Sequence, residues 1–271
     1  MPLKDKAAFG RVYIDFGVLT WADGEIDIAP EYVYAHQNRC PIFVLRGNDV
    51  VLDVEAYISQ FIGLLRQKYG ARLLYVGLQG SYLRNEATES SDIDLMVVVD
   101  GLSVDDLDRY REAIISIGDC EKSCGFICGK TDLAHWNPLE ICHLLHSTKD
   151  YYGTLEDLVP RYTQENIRDF VKISVNNLYH EICHRYLHSD WETNTAQLPC
   201  SYRSVFFILQ NLYYLEHGVF VQTKAGLRTL LSGKDRSVLD TAVQLAQGEK
   251  YDFPVAFSLL FFWCQDTMKK L

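Results

Sequence analysis

Residues Ser91-Asp92-Ile93-Asp94-Leu95-Met96-Val97-Val98-Val99 put two carboxylates, one residue apart, at the head of an apolar run. A short apolar, β-branched run reads as a strand, and residues i and i+2 of a strand share a face. Asp92 and Asp94 are therefore expected to project together, with Ile93 and Leu95 turned into the fold. Two carboxylates held side by side repel each other and are costly unless a cation lies between them. Mg²⁺ meets that need, because it takes hard oxygen ligands and is commonly completed by substrate phosphates. Upstream, Gly80-Ser81-Tyr82-Leu83-Arg84 supplies a complementary half. Glycine lets a backbone approach closely, and N–H groups at a turn or helix start hold phosphate oxygens.

The remaining chain bounds what such a site can serve. At 271 residues it is long enough for one large domain or two modest ones. Its 48% hydrophobic and 23% charged residues describe a globular protein. A formal net charge of −10 disfavours nucleic acid as a partner, since gripping many phosphates takes a basic footprint. No apolar run is long enough to span a bilayer. The polar start Met1-Pro2-Leu3-Lys4-Asp5-Lys6 reads as no secretory leader, so the eight cysteines are expected as free thiols in the cytoplasm. Cys120, Cys124 and Cys128 recur every fourth residue, but Gly118, Gly125 and Gly129 argue against a helix there. Small buried side chains on a strand are expected rather than a zinc site.

Along the chain, residues 1–45 read as a β-hairpin appendage. A strand over 11–21 turns at Ala22-Asp23-Gly24-Glu25 and returns at Ile26-Asp27-Ile28. Residues 46–150 read as an α/β core. It comprises a helix from Asp53 to Tyr69 closed by Gly70, a strand over 73–78, the Gly-Ser turn and the carboxylate strand, then an amphipathic helix over 104–117 and a strand over 124–128. Residues 151–271 read as helices over 163–189, 201–217, 223–231, 235–247 and 254–270, separated in part by Pro199, Gly218, Gly233, Gly248 and Pro254.

Gly80-Ser81, an Arg84 on the short helix that follows, and Ser91-Asp92-Ile93-Asp94 on the next strand together resemble the signature of the nucleotidyltransferase superfamily related to DNA polymerase β. The resemblance is local, covering residues 72–100. It implies an α+β fold, a polymerase β-like core of mixed sheet and helices followed by a C-terminal helical bundle. It also implies a metal site at Asp92 and Asp94 for Mg²⁺ or Mn²⁺, with an NTP as co-substrate. Gly80, Ser81, Arg84 and Ser91 would then meet the nucleotide, and Lys149, at the junction with the helices, its triphosphate. The family often carries a third carboxylate on a neighbouring strand, as metal ligand or general base. Cys124-Gly125-Phe126-Ile127-Cys128 holds no acid, so Asp132 just after it is the expected base, with Glu121 and Glu140 as alternatives. If none serves, the chain binds nucleotide without efficient turnover. The order of core then bundle is similar to small-substrate members, including aminoglycoside-modifying ones. A small-molecule acceptor is therefore expected, and a protein acceptor, as in toxin–antitoxin pairs of the superfamily, is the rival.

His180-Glu181-Ile182-Cys183-His184 also matches the zinc-protease pattern His-Glu-x-x-His. No third ligand follows in a familiar arrangement, and the expectation is a polar helix. Its Asn176, Asn177, Tyr179, His180 and His184 are expected to border the acceptor cleft, within about 10 Å of the aspartates, the span of an ordinary pocket. Phe206-Phe207-Ile208-Leu209 and the run 257–263 are expected to pack in the core, with a homodimer interface as the alternative.

Overall fold

The computed structural model describes residues 13–15, 18–20, 53–89, 91–118 and 122–271. Strands β1 (Tyr13–Asp15) and β2 (Val18–Thr20) pair antiparallel, Ile14 opposite Leu19, as a two-stranded sheet of their own. The single strand expected over 11–21 is thus two short ones, flanking Phe16-Gly17 in sequence. The expected turn and return strand at 22–28, with most of residues 1–45, lie outside the described residues.

The described chain forms two compact units. The α/β unit takes the described residues up to Tyr82, then Ala87–Lys130 and Asp150–Gly153. Helix α1 (Val54–Tyr69) starts at Asp53, whose carboxylate accepts from the N–H groups of Glu55 and Ala56, and it ends at Gly70, which has φ +56°. A 3-10 turn leads into β3 (Leu73–Leu78), then α2 (Gly80–Leu83) and β4 (Ile93–Val99). Helix α3 (Val104–Ile117), β5 (Ser123–Gly129) and, later, β6 (Lys149–Tyr152) complete the set. The sheet order is β5-β4-β3-β6, with β3–β4 antiparallel and β4–β5 parallel. Ile58, Phe61 and Leu65 of α1 are buried, as are Ala113 of α3 and every residue of β4 except Asp94. Leu95 through Val99 bury both faces of β4, which makes it the rigid central strand of the site.

A buried carboxylate ties α3 to the sheet. Asp106 closes the capping box with Ser103, accepting from its N–H at 2.9 Å and its Oγ at 2.8 Å. It also accepts from Arg72 Nη2 at 2.6 Å and Arg109 Nη1 at 3.0 Å. The Arg72 guanidinium and the Ser103 donors hold its carboxyl well below the usual carboxylate range, against the opposing cost of burial.

The helical unit takes Leu83–Glu86, Thr131–Lys149 and Thr154–Leu271. Its helices are α5 (Pro138–His146), α6 (Gln164–His188), α7 (Trp191–His217), α8 (Lys224–Leu230), α9 (Gly233–Ala246) and α10 (Phe253–Lys270); α4 (Lys130–Ala134) opens it. Helix α7 packs on α6 and α9, and α10 packs on α6, α7 and α9. Val175, Val205, Leu209, Val238, Leu260 and Trp263 fill this core. Phe206, Ile208 and Leu209 are buried as expected, while Val255 and Phe262 of α10 stay exposed.

Pro199 does not break the chain between helices, as its sequence position suggests; it lies inside α7, which begins ten residues before the expected 201. A proline removes the N–H that would bond the carbonyl four residues back. Here that carbonyl is Thr195's, and the Tyr251 hydroxyl donates to it. Asp190 caps the early start by accepting from Thr193 N at 2.7 Å.

Candidate active site

Strand β4 presents Asp94 half-buried and leaves Asp92 exposed at its entry, while Ile93 and Leu95 are buried. The segment leading into it is stapled: Thr88 N donates to Ser91 Oγ at 2.9 Å, and Ser91 N donates to Thr88 O at 3.0 Å. Lys122 Nζ donates to the carbonyls of Glu89 and Ser91 and so ties this loop to the approach of β5. The Ser91 hydroxyl, expected at a nucleotide, is thus engaged in the turn that delivers Asp92.

Opposite Asp94, the end of β3 places Gln79 N at 2.9 Å from Asp94 O. Gly80 follows with φ +70°, and a Cβ built on it falls 1.8 Å from Asp94 Oδ2. Only glycine fits here, both for its dihedral and for the space. The Asp94 carboxylate lies where any other residue's side chain would start, and this is the physical content of the Gly-Ser motif in this chain. Ser81 sits half-buried on α2, one residue further.

The third member of the site is a thiol. In the parallel β4–β5 register, Asp94 pairs with Cys124. Ligand atoms of Asp92, Asp94 and Cys124 all lie within 4.8 Å of one another, and they form the one group of three or more such donors among the described residues. Burial, then the charge of Asp94 and a hydrogen bond to Asp92, push the Cys124 thiol up to about 12. The neighbouring Gly125 has φ +117°, and a Cβ there would meet Leu95 O at 2.0 Å, so β5 approaches β4 closely at this point. The cysteine spacing led to an expectation of a small buried side chain at Cys124; what brings its thiol to the aspartates is the cross-strand register. Convergent carboxylate oxygens against a glycine-lined turn have the donor chemistry for a divalent cation, with Asp92 and Asp94 as the oxygen ligands it would take.

The other expected residues lie in the helical unit, each in its own surroundings. Asp132 is exposed in the first turn of α4 and is not one of the three donors. Of its alternatives, Glu140 accepts from Trp136 Nε1 at 2.6 Å, and Glu121 lies outside the described residues. Lys149 is exposed at the start of β6. Arg84 donates to Glu86 Oε2 at 3.1 Å, and the same carboxylate group receives Lys224 N at 2.9 Å and lies 3.7 Å from Lys224 Nζ. Both cations also stand over the Phe206 ring, at 5.9 and 5.6 Å from its centroid. Arg84 therefore has a carboxylate partner, and Lys224, absent from the expected set, shares it.

The His-Glu-x-x-His segment forms no zinc site of protease type. Glu181 accepts from Arg185 and from Ser201 Oγ at 2.7 Å, so it is committed to the α6–α7 contact. His180, His184 and His188 stack along an exposed face of α6, with ring centroids 5.9 and 4.7 Å apart. Asn177 is exposed beside them.

The nucleotidyltransferase domain model matches residues 58–123, from α1 through β4 to the edge of β5. The protein adenylyltransferase MntA of Thermococcus cleftensis is 32% identical over 69 residues, which is 24% of this chain and 68% of that protein. A Methanocaldococcus jannaschii protein, assigned by inference as a protein adenylyltransferase, is 41% identical over 49 residues, 18% of this chain. This chain spans about half the length of that relative, 49%, and 37% of a second one from the same organism. Among solved structures, spectinomycin adenyltransferase AAD(9) from Enterococcus faecialis matches at a TM-score of 0.51 and 16% identity, over 79% of this chain and 99% of that one, and so shares the fold. No helix among the described residues is long and apolar enough to cross a membrane. With the Gly80 turn, the paired aspartates of β4 and these relatives agreeing, the chain belongs to the nucleotidyltransferase superfamily.

Proposed function

We propose that the protein transfers a nucleoside monophosphate from an NTP to a hydroxyl acceptor with the help of Mg²⁺ or Mn²⁺. The observation that carries this reading is the Asp94 carboxylate seated over Gly80, with Asp92 beside it. Asp92 and Asp94 would hold the cation, which when bound neutralises triphosphate charge and makes pyrophosphate a better leaving group. Gly80 and Ser81 would cradle the phosphates through backbone N–H groups and the Ser81 hydroxyl. Arg84 and Lys149 would add positive charge, Arg84 by exchanging its Glu86 partner for phosphate. Asp132 would take the acceptor's proton as its oxygen bonds the α-phosphorus and the bond to the bridging oxygen of pyrophosphate breaks.

The named relatives make ATP the first nucleotide to test. A small cationic, hydroxyl-rich acceptor suits the chain's net charge of −10, which draws cations inward. The exposed Asn177 and His180 of α6 are the proposed acceptor contacts. A protein hydroxyl is the second reading, because the core relatives are protein adenylyltransferases by name. A non-catalytic nucleotide-binding role is a third, motivated by the thiol on β5.

Calorimetry with ATP and Mg²⁺ tests the metal site: Asp92→Ala/Asp94→Ala is expected to abolish Mg²⁺-dependent binding while the circular dichroism spectrum is retained. Unchanged binding in the double variant would remove the basis for the site. Pyrophosphate release against a panel of aminoglycosides and protein acceptors then separates the readings, and Asp132→Asn is expected to stop release without weakening nucleotide binding.

A further inference from the structure

The place on the neighbouring strand where a third acid is expected is held by Cys124, paired in register with Asp94 and within 4.8 Å of both carboxylates. We infer that Cys124 is a metal ligand, making this a mixed carboxylate–thiolate centre that holds thiophilic divalent cations such as Zn²⁺, Co²⁺ or Cd²⁺ more tightly than Mg²⁺. The inference rests on the reading of Asp92 and Asp94 as metal ligands and adds to it a ligand and a metal preference.

Donor chemistry carries the argument. Mg²⁺ seeks oxygen and binds sulfur poorly, so with Mg²⁺ Cys124 would not be a ligand. Thiolate sulfur favours zinc-like ions, and imposing one sulfur beside two carboxylates shifts the set away from hard cations. Binding forms the sulfur–metal bond and releases the thiol proton to solvent, leaving three negative ligands around a dication. The backbone holds the thiol in place: Gly125, next to it, admits the close approach of β5 to Leu95 that a side chain would forbid. Cys128 shares the strand but is buried and is not one of the three donors, so it serves as an internal control.

The test titrates Cd²⁺ and Co²⁺ into the full chain while following sulfur-to-metal charge-transfer absorbance, and Mn²⁺ while following the resonance signal of the free ion. Wild type and Cys128→Ser are expected to show the charge-transfer band. Cys124→Ser and Asp92→Asn/Asp94→Asn are expected to lose it, with Cd²⁺ affinity falling about tenfold or more and Mn²⁺ affinity in Cys124→Ser nearly unchanged. A band that survives in Cys124→Ser, or no band in wild type, overturns the inference. If Mn²⁺ still binds in that case, the carboxylate site stands and only the thiol ligand is lost. If neither ion binds, both readings fall.

Discussion

Asp106 at the start of α3 is fully shielded and receives hydrogen bonds from Arg72, Arg109 and Ser103, whereas Asp94 in the same unit is half-buried with Asp92 and Cys124 for neighbours. The first carboxylate has its counter-charge supplied by the chain. The second is brought toward another carboxylate, and a glycine is retained so that it fits. Two carboxylates brought together at a glycine turn are the pair that the proposed cation would bridge.

Gly80→Ala is the strongest way to break the functional side of this contrast. The new methyl would overlap Asp94 Oδ2, at 1.8 Å, in a backbone with φ +70°. Displacing the carboxylate by about an ångström should cost about a hundredfold in nucleotidyl transfer, measured as pyrophosphate release. Activity within a fewfold of wild type would show that Asp94 does not need its present position.

Asp106→Ala probes the structural side. It should lower the denaturation midpoint clearly more than Asp108→Ala, which removes only an exposed pair with Arg111. The pH dependence has a definite sign. The folded pKa of Asp106 lies below the ordinary 3.8, so its contribution is fully present above that value and is lost as pH falls through the folded pKa. The gap between wild type and Asp106→Ala should therefore be constant from about pH 5 to about pH 7 and close at lower pH. Equal midpoints at neutral pH would refute the assignment.

The helical unit offers a third solution, a buried titratable group kept neutral. His143 accepts from Asn211 Nδ2 at 3.2 Å, and burial, with Arg84 nearby, pushes its pKa down from 6.5 to about 3. Below pH 6.5 the unfolded chain binds a proton that the folded chain refuses, so stability should fall toward acid with a slope approaching about 1.4 kcal/mol per pH unit. His143→Gln keeps an acceptor for Asn211 and should flatten the slope in urea denaturation between about pH 4 and about pH 6.5.

The smallest expected effect concerns Thr195. Tyr251→Phe should cost about 1 kcal/mol by leaving its carbonyl without the hydroxyl donor. In a Pro199→Ala background the restored helical N–H supplies that bond, and the cost of Tyr251→Phe should vanish in the double-mutant cycle. Additive effects would mean that the hydroxyl is not replacing the missing helix bond.

Much of the α/β unit was legible because its signals are local. Asp53 and Gly70 bracket α1, the apolar runs of 73–78 and 93–99 are strand-like, and Gly80-Ser81 with Asp92 and Asp94 points to the turn and the acidic strand that the structure brings together. What escaped depends on side-chain and cross-strand pairings, several of them between distant residues. Cys124 enters the site through parallel register, and Ser91 spends its hydroxyl on Thr88. Arg84 finds Glu86 and Lys224 through the fold of the helical unit. Pro199 looked like a boundary because the hydroxyl that satisfies the freed Thr195 carbonyl lies 56 residues beyond Thr195. Asp106, in sequence one acid among 36, shows its role only when Arg72 and Arg109 converge on it.

That proline has a consequence for the order in which the chain folds. Helices ordinarily close on bonds between residues four apart, which form fast and without help. The first turns of α7 instead contain a carbonyl whose donor belongs to the segment between α9 and α10. Until that segment has docked, the beginning of α7 is an imperfect helix exposed to fraying. Substitutions around Thr195 should therefore accelerate unfolding and leave the folding rate nearly unchanged, as expected of a region that is completed after the transition state has been crossed.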